Sequence, residues 1–272
     1  MEWINRADAV GVGRGDGVAR NREIPQPSAN RNGRDARERG EQMGSTITYR
    51  RPDGGSANGY LAEGKDGVRA PGIVVIQEWW GLNDQIRGVA DKLVAAGYRA
   101  LVPDLYGGKV TLEEKEAEHL MHGLDFGAAA GQDIRGAVQH LKSTGSQKVG
   151  VTGFCMGGAL TLLAAVNVPE ADAFVTWYGY PPLQYVDASR IRGPVMGHWA
   201  TEDTAFPIDK LPELEKKLRD ANVSFEFHRY QARHAFANET ADERHLSWLQ
   251  YNAAAAELAW KRTLDFFAKE LR

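Results

Sequence analysis

One cysteine, Cys155, stands in 272 residues. A lone thiol cannot close an internal disulfide, complete a structural zinc site or hold an iron–sulfur cluster. Disulfide-stapled secreted scaffolds, zinc modules and CxxC redox proteins are thereby excluded, and a reducing cytoplasm is the expected compartment. Long apolar runs are missing too. No stretch approaches the roughly 18–20 uninterrupted apolar residues that span a bilayer, so no membrane partner is expected. Nor is there a surplus of either charge. Lys and Arg number 33 against 36 Asp and Glu, a net −3, which creates no field to draw in nucleic acid or an anionic surface. What remains is an ordinary globular composition in a chain long enough to bury one large core.

Residues 1–42 differ from the rest. They hold eight Arg, no Lys and seven acidic residues, with only scattered apolar side chains. A segment this poor in large apolar groups cannot offset its ordering entropy, and a disordered extension is expected. Its acidic residues and its lack of an apolar run argue against a transit or signal peptide. Met43 opens the foldable sequence and stands as an alternative start.

From there, short apolar runs alternate with helical spacing. Thr46–Arg51 and Asn58–Leu61 flank the turn cluster Pro52-Asp53-Gly54-Gly55, the signature of a hairpin. Strands are expected at 73–76, 99–102, 149–152, 173–178, 194–199 and 225–230. Helices are expected at 86–96, 112–124, 134–141, 159–166, 211–218 and 253–271. Such alternation predicts a doubly wound, mostly parallel α/β sheet in one domain over residues 43–272, with its site at the carboxyl ends of the strands.

Three strand ends carry chemistry. The strand 148–152 runs straight into Gly153-Phe154-Cys155-Met156-Gly157-Gly158, a G-x-S-x-G nucleophile elbow with sulfur in place of oxygen. The turn strains the nucleophile's backbone, and the flanking glycines let strand and helix pass without clashing. With 30 Gly in the chain, glycines fall on both sides of one cysteine by chance only about once in eighty sequences. A nucleophilic cysteine needs a base, and the base an orienting group. In α/β hydrolases these follow in the order nucleophile, acid, histidine. The strand at 194–199 ends in Ala200-Thr201-Glu202-Asp203, which makes Asp203 the acid, with Glu202 its neighbouring competitor. The strand at 225–230 leads to Arg233-His234-Ala235-Phe236, which places His234 as the base. The other six histidines read as solvated or core residues. His119 and His122 share a helix face with no further ligands, so no metal site is expected.

Together, Gln77-Glu78-Trp79-Trp80-Gly81-Leu82-Asn83, Pro103-Asp104-Leu105-Tyr106, the cysteine elbow and His234-Ala235-Phe236 resemble the dienelactone hydrolase family from about residue 46 to the C-terminus. The resemblance implies an α/β-hydrolase fold, the triad Cys155, Asp203 and His234, and hydrolysis of carboxylic esters or lactones through a thioester, without cofactor. It further implies that Glu78 contacts the resting cysteine and takes its proton when substrate arrives. A strand-end carboxylate followed by two tryptophans is independently expected to be desolvated, with a raised pKa. Backbone N–H groups of Trp79 and Met156 match the oxyanion hole. Trp80, Trp177, Tyr178 and Asn238 are the expected substrate-binding residues, with Trp199 near the same strand ends.

The sequence also departs from the family. The family's arginines that hold a substrate carboxylate are not matched. Asn238 stands four residues after His234, and no Arg lies between Tyr106 and Asp133, where Glu113, Glu114, Glu116 and Glu118 stand instead. A bidentate clamp is therefore not expected. The reading is a cysteine hydrolase of a small neutral ester or lactone, acting as a monomer or weak homodimer. A general carboxylesterase or thioesterase on the same scaffold and an inactive small-molecule binder are the alternatives.

Overall fold

The computed structural model describes residues 44–272 apart from Asp66, so the expectations for residues 1–42 lie outside the described residues. The chain enters the sheet at one edge through the hairpin of β1 (Gly44–Arg50) and β2 (Ser56–Ala62). Its turn is closed by the Asp53 carboxylate, which accepts the Gly55 N–H at 2.9 Å, while Gly54 takes a left-handed φ of 87°. Such a φ costs an L side chain strain that glycine escapes.

Six further strands follow: β3 (Gly72–Ile76), β4 (Arg99–Pro103), β5 (Val149–Phe154), β6 (Ala173–Trp177), β7 (Val195–Ala200) and β8 (Phe225–Tyr230). Among the described residues they form one eight-stranded sheet of order β1-β2-β4-β3-β5-β6-β7-β8. From β4 to β8 every pairing is parallel, and β2 joins β4 antiparallel. Every residue of β3 to β7 is buried. That is why these strands read as largely apolar runs, with Arg99, Thr152, Thr176 and His198 the polar exceptions, whereas the edge strand β8 alternates.

Helices α1 (Asp84–Ala95), α2 (Glu114–His122), α3 (Phe126–Ala128), α4 (Arg135–Ser143), α5 (Met156–Asn167), α6 (Leu211–Asp220) and α7 (Ala253–Leu271) complete the fold. The glycines of neighbouring strands show which helices cover which face. A Cβ on Gly72 would lie 3.0 Å from Leu141 of α4, and one on Gly150 would lie 2.7 Å from Phe267 of α7. Gly72 pairs with Val149, the residue before Gly150, so the two glycines face opposite sides of the pleat. Helices α4 and α7 therefore pack on opposite faces. Helix α1 shares the α7 side, since Arg272 donates to the Ala96 carbonyl at 2.7 Å and Tyr98 meets Phe267 edge-on. Helix α5 is buried along almost its whole length, which its all-round apolar sequence requires.

Two helix expectations are corrected. Helix α2 is shorter than the span 112–124. The segment before residue 134 is already helical, as α3 and then a π turn over Ala129–Ile134. Its small residues, Gly127-Ala128-Ala129-Ala130-Gly131, carry no apolar periodicity by which to see it. The Asp133 carbonyl, within the π turn, accepts the Tyr49 hydroxyl at 3.0 Å, tying this segment to the hairpin.

Candidate active site

The elbow is built from glycine contacts. Cys155 occupies the cap position of α5 with φ 55° and ψ −118°, a region in which an L residue is strained. A Cβ on Gly153 would lie 2.1 Å from the Gly157 carbonyl oxygen, and one on Gly157 would lie 2.4 Å from that of Ile76. Neither position tolerates a methyl group, because the neighbour in each case is rigid backbone. Gly179, after β6, is equally committed: its Cβ would fall 1.9 Å from the Cys155 carbonyl oxygen. The Cys155 N–H donates to the Trp177 carbonyl at 3.0 Å, and the Cys155 carbonyl accepts the Gly158 and Ala159 N–H groups. The strained turn is thus held on three sides.

His234 reaches the thiol from the loop after β8. Its Nδ1 lies 2.7 Å from Asp203 Oδ2, and the other carboxylate oxygen, Oδ1, accepts the N–H groups of Ala205 and Phe206 at 2.8 Å each. Asp203 is thereby fixed by its own turn and in turn fixes the ring. Phe206 stacks on the imidazole at 5.5 Å between centroids, and Tyr178 meets it edge-on at 5.1 Å. Burial by itself would lower the His234 pKa. The Asp203 carboxylate and the Cys155 sulfur outweigh it, so the ring is held well above the ordinary histidine value. The thiol is pushed up by burial and by the charge of Glu78, against the pull of His234 and the Met156 N–H. Nε2 has no hydrogen bond of ordinary geometry, and its interaction with the thiol is the looser contact common in resting sites.

Glu78 stands at the end of β3 with 3% exposure. Its Oε2 accepts the Asn238 side-chain N–H at 2.7 Å and its Oε1 the Tyr178 hydroxyl at 3.3 Å. Burial raises its pKa, partly offset by His234, these two donors and Arg244. The desolvated carboxylate expected from the sequence is there. Its two oxygens accept from Asn238 and Tyr178, and its charge acts on the Cys155 sulfur. Asn238, expected to bind substrate, has both polar atoms taken by the protein: Oδ1 accepts the backbone N–H and the hydroxyl of Thr240 at 2.9 Å.

Trp79 and Trp80 pack edge-to-face at 5.0 Å beside Glu78. Trp177 is not brought to the site. Its indole lies among Phe154, His198 and Trp260, with its N–H on the Thr152 hydroxyl at 3.1 Å. Trp199 packs on Tyr180 and Phe227 instead. Besides Phe206, two residues escaped the sequence reading. Trp248 lies 5.5 Å from the His234 ring and 5.8 Å from Trp79. The Arg244 guanidinium lies 5.2 Å over Trp80 and lowers the Glu78 pKa. Both sit on an irregular loop with no periodic pattern to mark them, and an aromatic residue soon after His234 was the one available signal.

The model of the dienelactone hydrolase family matches residues 57–271. The chain belongs to the dienelactone hydrolase family. Protein usf of Aquifex pyrophilus is 32% identical over 84% of this chain and all of its own length. A protein of Aquifex aeolicus named as a candidate carboxymethylenebutenolidase is 29% identical over 85% of this chain and all of its own. The crystal structure of a candidate dienelactone hydrolase from Klebsiella pneumoniae superposes with a TM-score of 0.67 at 26% identity, over 83% of this chain and 98% of that one. At the level of its family the protein is a carboxylic ester hydrolase with an α/β-hydrolase-like fold. Among the described residues no helix is long and apolar enough to cross a membrane.

Proposed function

We propose that the protein hydrolyses small carboxylic esters or lactones through a thioester on Cys155. The observation that carries this reading is the strained cysteine at the elbow beside a histidine whose Nδ1 is pinned 2.7 Å from Asp203. At rest the Glu78 charge opposes thiolate formation. Transfer of the thiol proton to Glu78 removes that charge in the same step that creates the nucleophile, which requires the carboxylate to leave Asn238 and Tyr178 when substrate enters. The thiolate attacks the carbonyl carbon. The backbone N–H groups of Trp79 and Met156 receive the oxyanion, in keeping with the rule that the residue after the nucleophile supplies one donor. His234, cationic while Asp203 faces it, protonates the leaving alkoxide or enolate. The neutral ring then takes a proton from water, whose oxygen cleaves the thioester. The released thiolate recovers its proton from Glu78, and no external acid or base is consumed. No cofactor enters these steps, and Trp80 and Tyr178 are the side chains that would line the acyl site.

The test is kinetic. With p-nitrophenyl acetate, the Cys155→Ala variant is expected to lose turnover by at least about a thousandfold, while the wild type gives a burst of nitrophenolate. Undiminished turnover in that variant would overturn the proposal.

A further inference from the structure

The catalytic groups are closed off from solvent. Cys155 is 7% exposed, Glu78 3% and His234 1%. An ester reaching the sulfur must displace something, and the loop between His234 and α7 has the anatomy of a removable cover. Its two ends are tied by backbone. The Gln250 N–H donates to the His234 carbonyl at 3.1 Å, and the Asn252 N–H to the Phe236 carbonyl at 3.0 Å. Its crest is different. After one 3-10 turn (Ala241–Arg244) comes His245 with a left-handed φ of 54°, and residues 242–248 are exposed or half-buried throughout. The crest is held by Arg244 over Trp80, Trp248 against His234 and Trp79, a 3.1 Å hydrogen bond from Arg233 to the Ser247 carbonyl, and another of 3.1 Å from the Tyr251 N–H to Asp242 Oδ1. Aromatic and cation–π contacts of this kind are individually weak, so the crest opens more readily than the ends that backbone hydrogen bonds anchor.

The geometry points to Trp248 as the specificity-determining residue of the site, the wall that limits the size of the ester reaching Cys155. This rests on the hydrolase reading above. Trp248 touches both the His234 ring and Trp79, the residue next to Glu78, so any substituent extending from the acyl carbon or the leaving group on that side meets the indole first. Small esters need displace the indole only slightly. Bulkier ones enter only when the crest lifts.

The experiment compares kcat/KM for p-nitrophenyl acetate and p-nitrophenyl octanoate in the wild type, Trp248→Ala and Trp248→Phe. Truncation to alanine is expected to raise the octanoate-to-acetate ratio about tenfold or more, chiefly through KM, whereas phenylalanine stays within about threefold of the wild type. A purely structural role for Trp248 would lower both rates together and leave the ratio unchanged, and that result overturns the assignment. A second measurement needs no variant. In the wild-type protein, Cys155 should react with iodoacetamide far faster, relative to glutathione, than with the larger N-phenyl iodoacetamide. Equal discrimination by Cys155 and glutathione refutes a size-limiting wall. Failure of the hydrolase reading itself would be seen separately, as an acetate activity that survives Cys155→Ala.

Discussion

Replacing Asn238 with leucine nearly keeps side-chain volume, removes one hydrogen bond from a buried carboxylate and, on the far side of the amide, the two that Thr240 donates to it. The bond in question runs from the Asn238 amide to Glu78 Oε2 at 2.7 Å, between residues that are both buried. Hydrogen bonds to a charged group contribute about 1.5–3 kcal/mol, and this one is made to the ionised form. One pH unit corresponds to about 1.36 kcal/mol, so the loss amounts to a rise of about 1–2 pH units in the ionisation of Glu78. The direction is fixed by the chemistry. On the proposed mechanism Glu78 is ionised when it accepts the thiol proton, so activity climbs with pH as the carboxyl deprotonates, and a higher pKa moves that climb upward. The assay is the pH profile of kcat/KM on p-nitrophenyl acetate, a substrate with no titrating group. The acid limb of Asn238→Leu should lie about 1–2 pH units above that of the wild type, with a deficit of about 10- to 100-fold below both limbs that closes on the plateau. An unmoved limb, or a deficit equal at every pH, would refute the role given to Asn238 and to Glu78's proton.

Two further outcomes concern stability. Arg99, 1% exposed in β4, donates to the Glu63 carboxylate, the Val68 and Leu141 carbonyls and the hydroxyls of Thr144 and Ser146. Arg99→Ala should cost about 3–5 kcal/mol in urea unfolding, because five hydrogen bonds from a buried guanidinium and the packing of its apolar stem are lost together, and a loss below about 1 kcal/mol would contradict the account. His198 is buried between Tyr230 and Thr263 at 2.9 and 2.8 Å. Burial first, then the charges of His228 and Arg262, keep its pKa well below the ordinary value. The unfolded chain therefore binds a proton below about pH 6.5 that the folded state refuses, and stability from this group is complete above that pH and declines as pH falls. The stability advantage of the wild type over His198→Asn should narrow between about pH 6 and pH 5 by roughly 1.4 kcal/mol per pH unit, and a pH-independent difference would show that His198 is not held neutral.

The amino-acid sequence by itself determined whatever depends on short spacing. Buried parallel strands announce themselves as largely apolar runs because both faces are covered, so β3 to β7 were legible. The elbow was legible because Gly153 and Gly157 are forced by the clash each would otherwise make with backbone. Asp203 and His234 followed from their places just beyond strand ends, which the parallel sheet gathers on one side.

Tertiary structure decided everything that joins distant segments. Asn238 and Glu78 are 160 positions apart, and no local pattern says that an amide will take up the carboxylate rather than the substrate. Trp177 and Trp80 look alike as tryptophans near strand ends, yet the direction of each side chain sends one into the core with Trp260 and the other to the site. Trp248 and Arg244 lie on a loop without periodicity, so their position beside His234 and over Trp80 comes entirely from the packing of that loop. Chemistry was written in the spacing, while access to it and the tuning of its charges were set by contacts that only the folded chain makes.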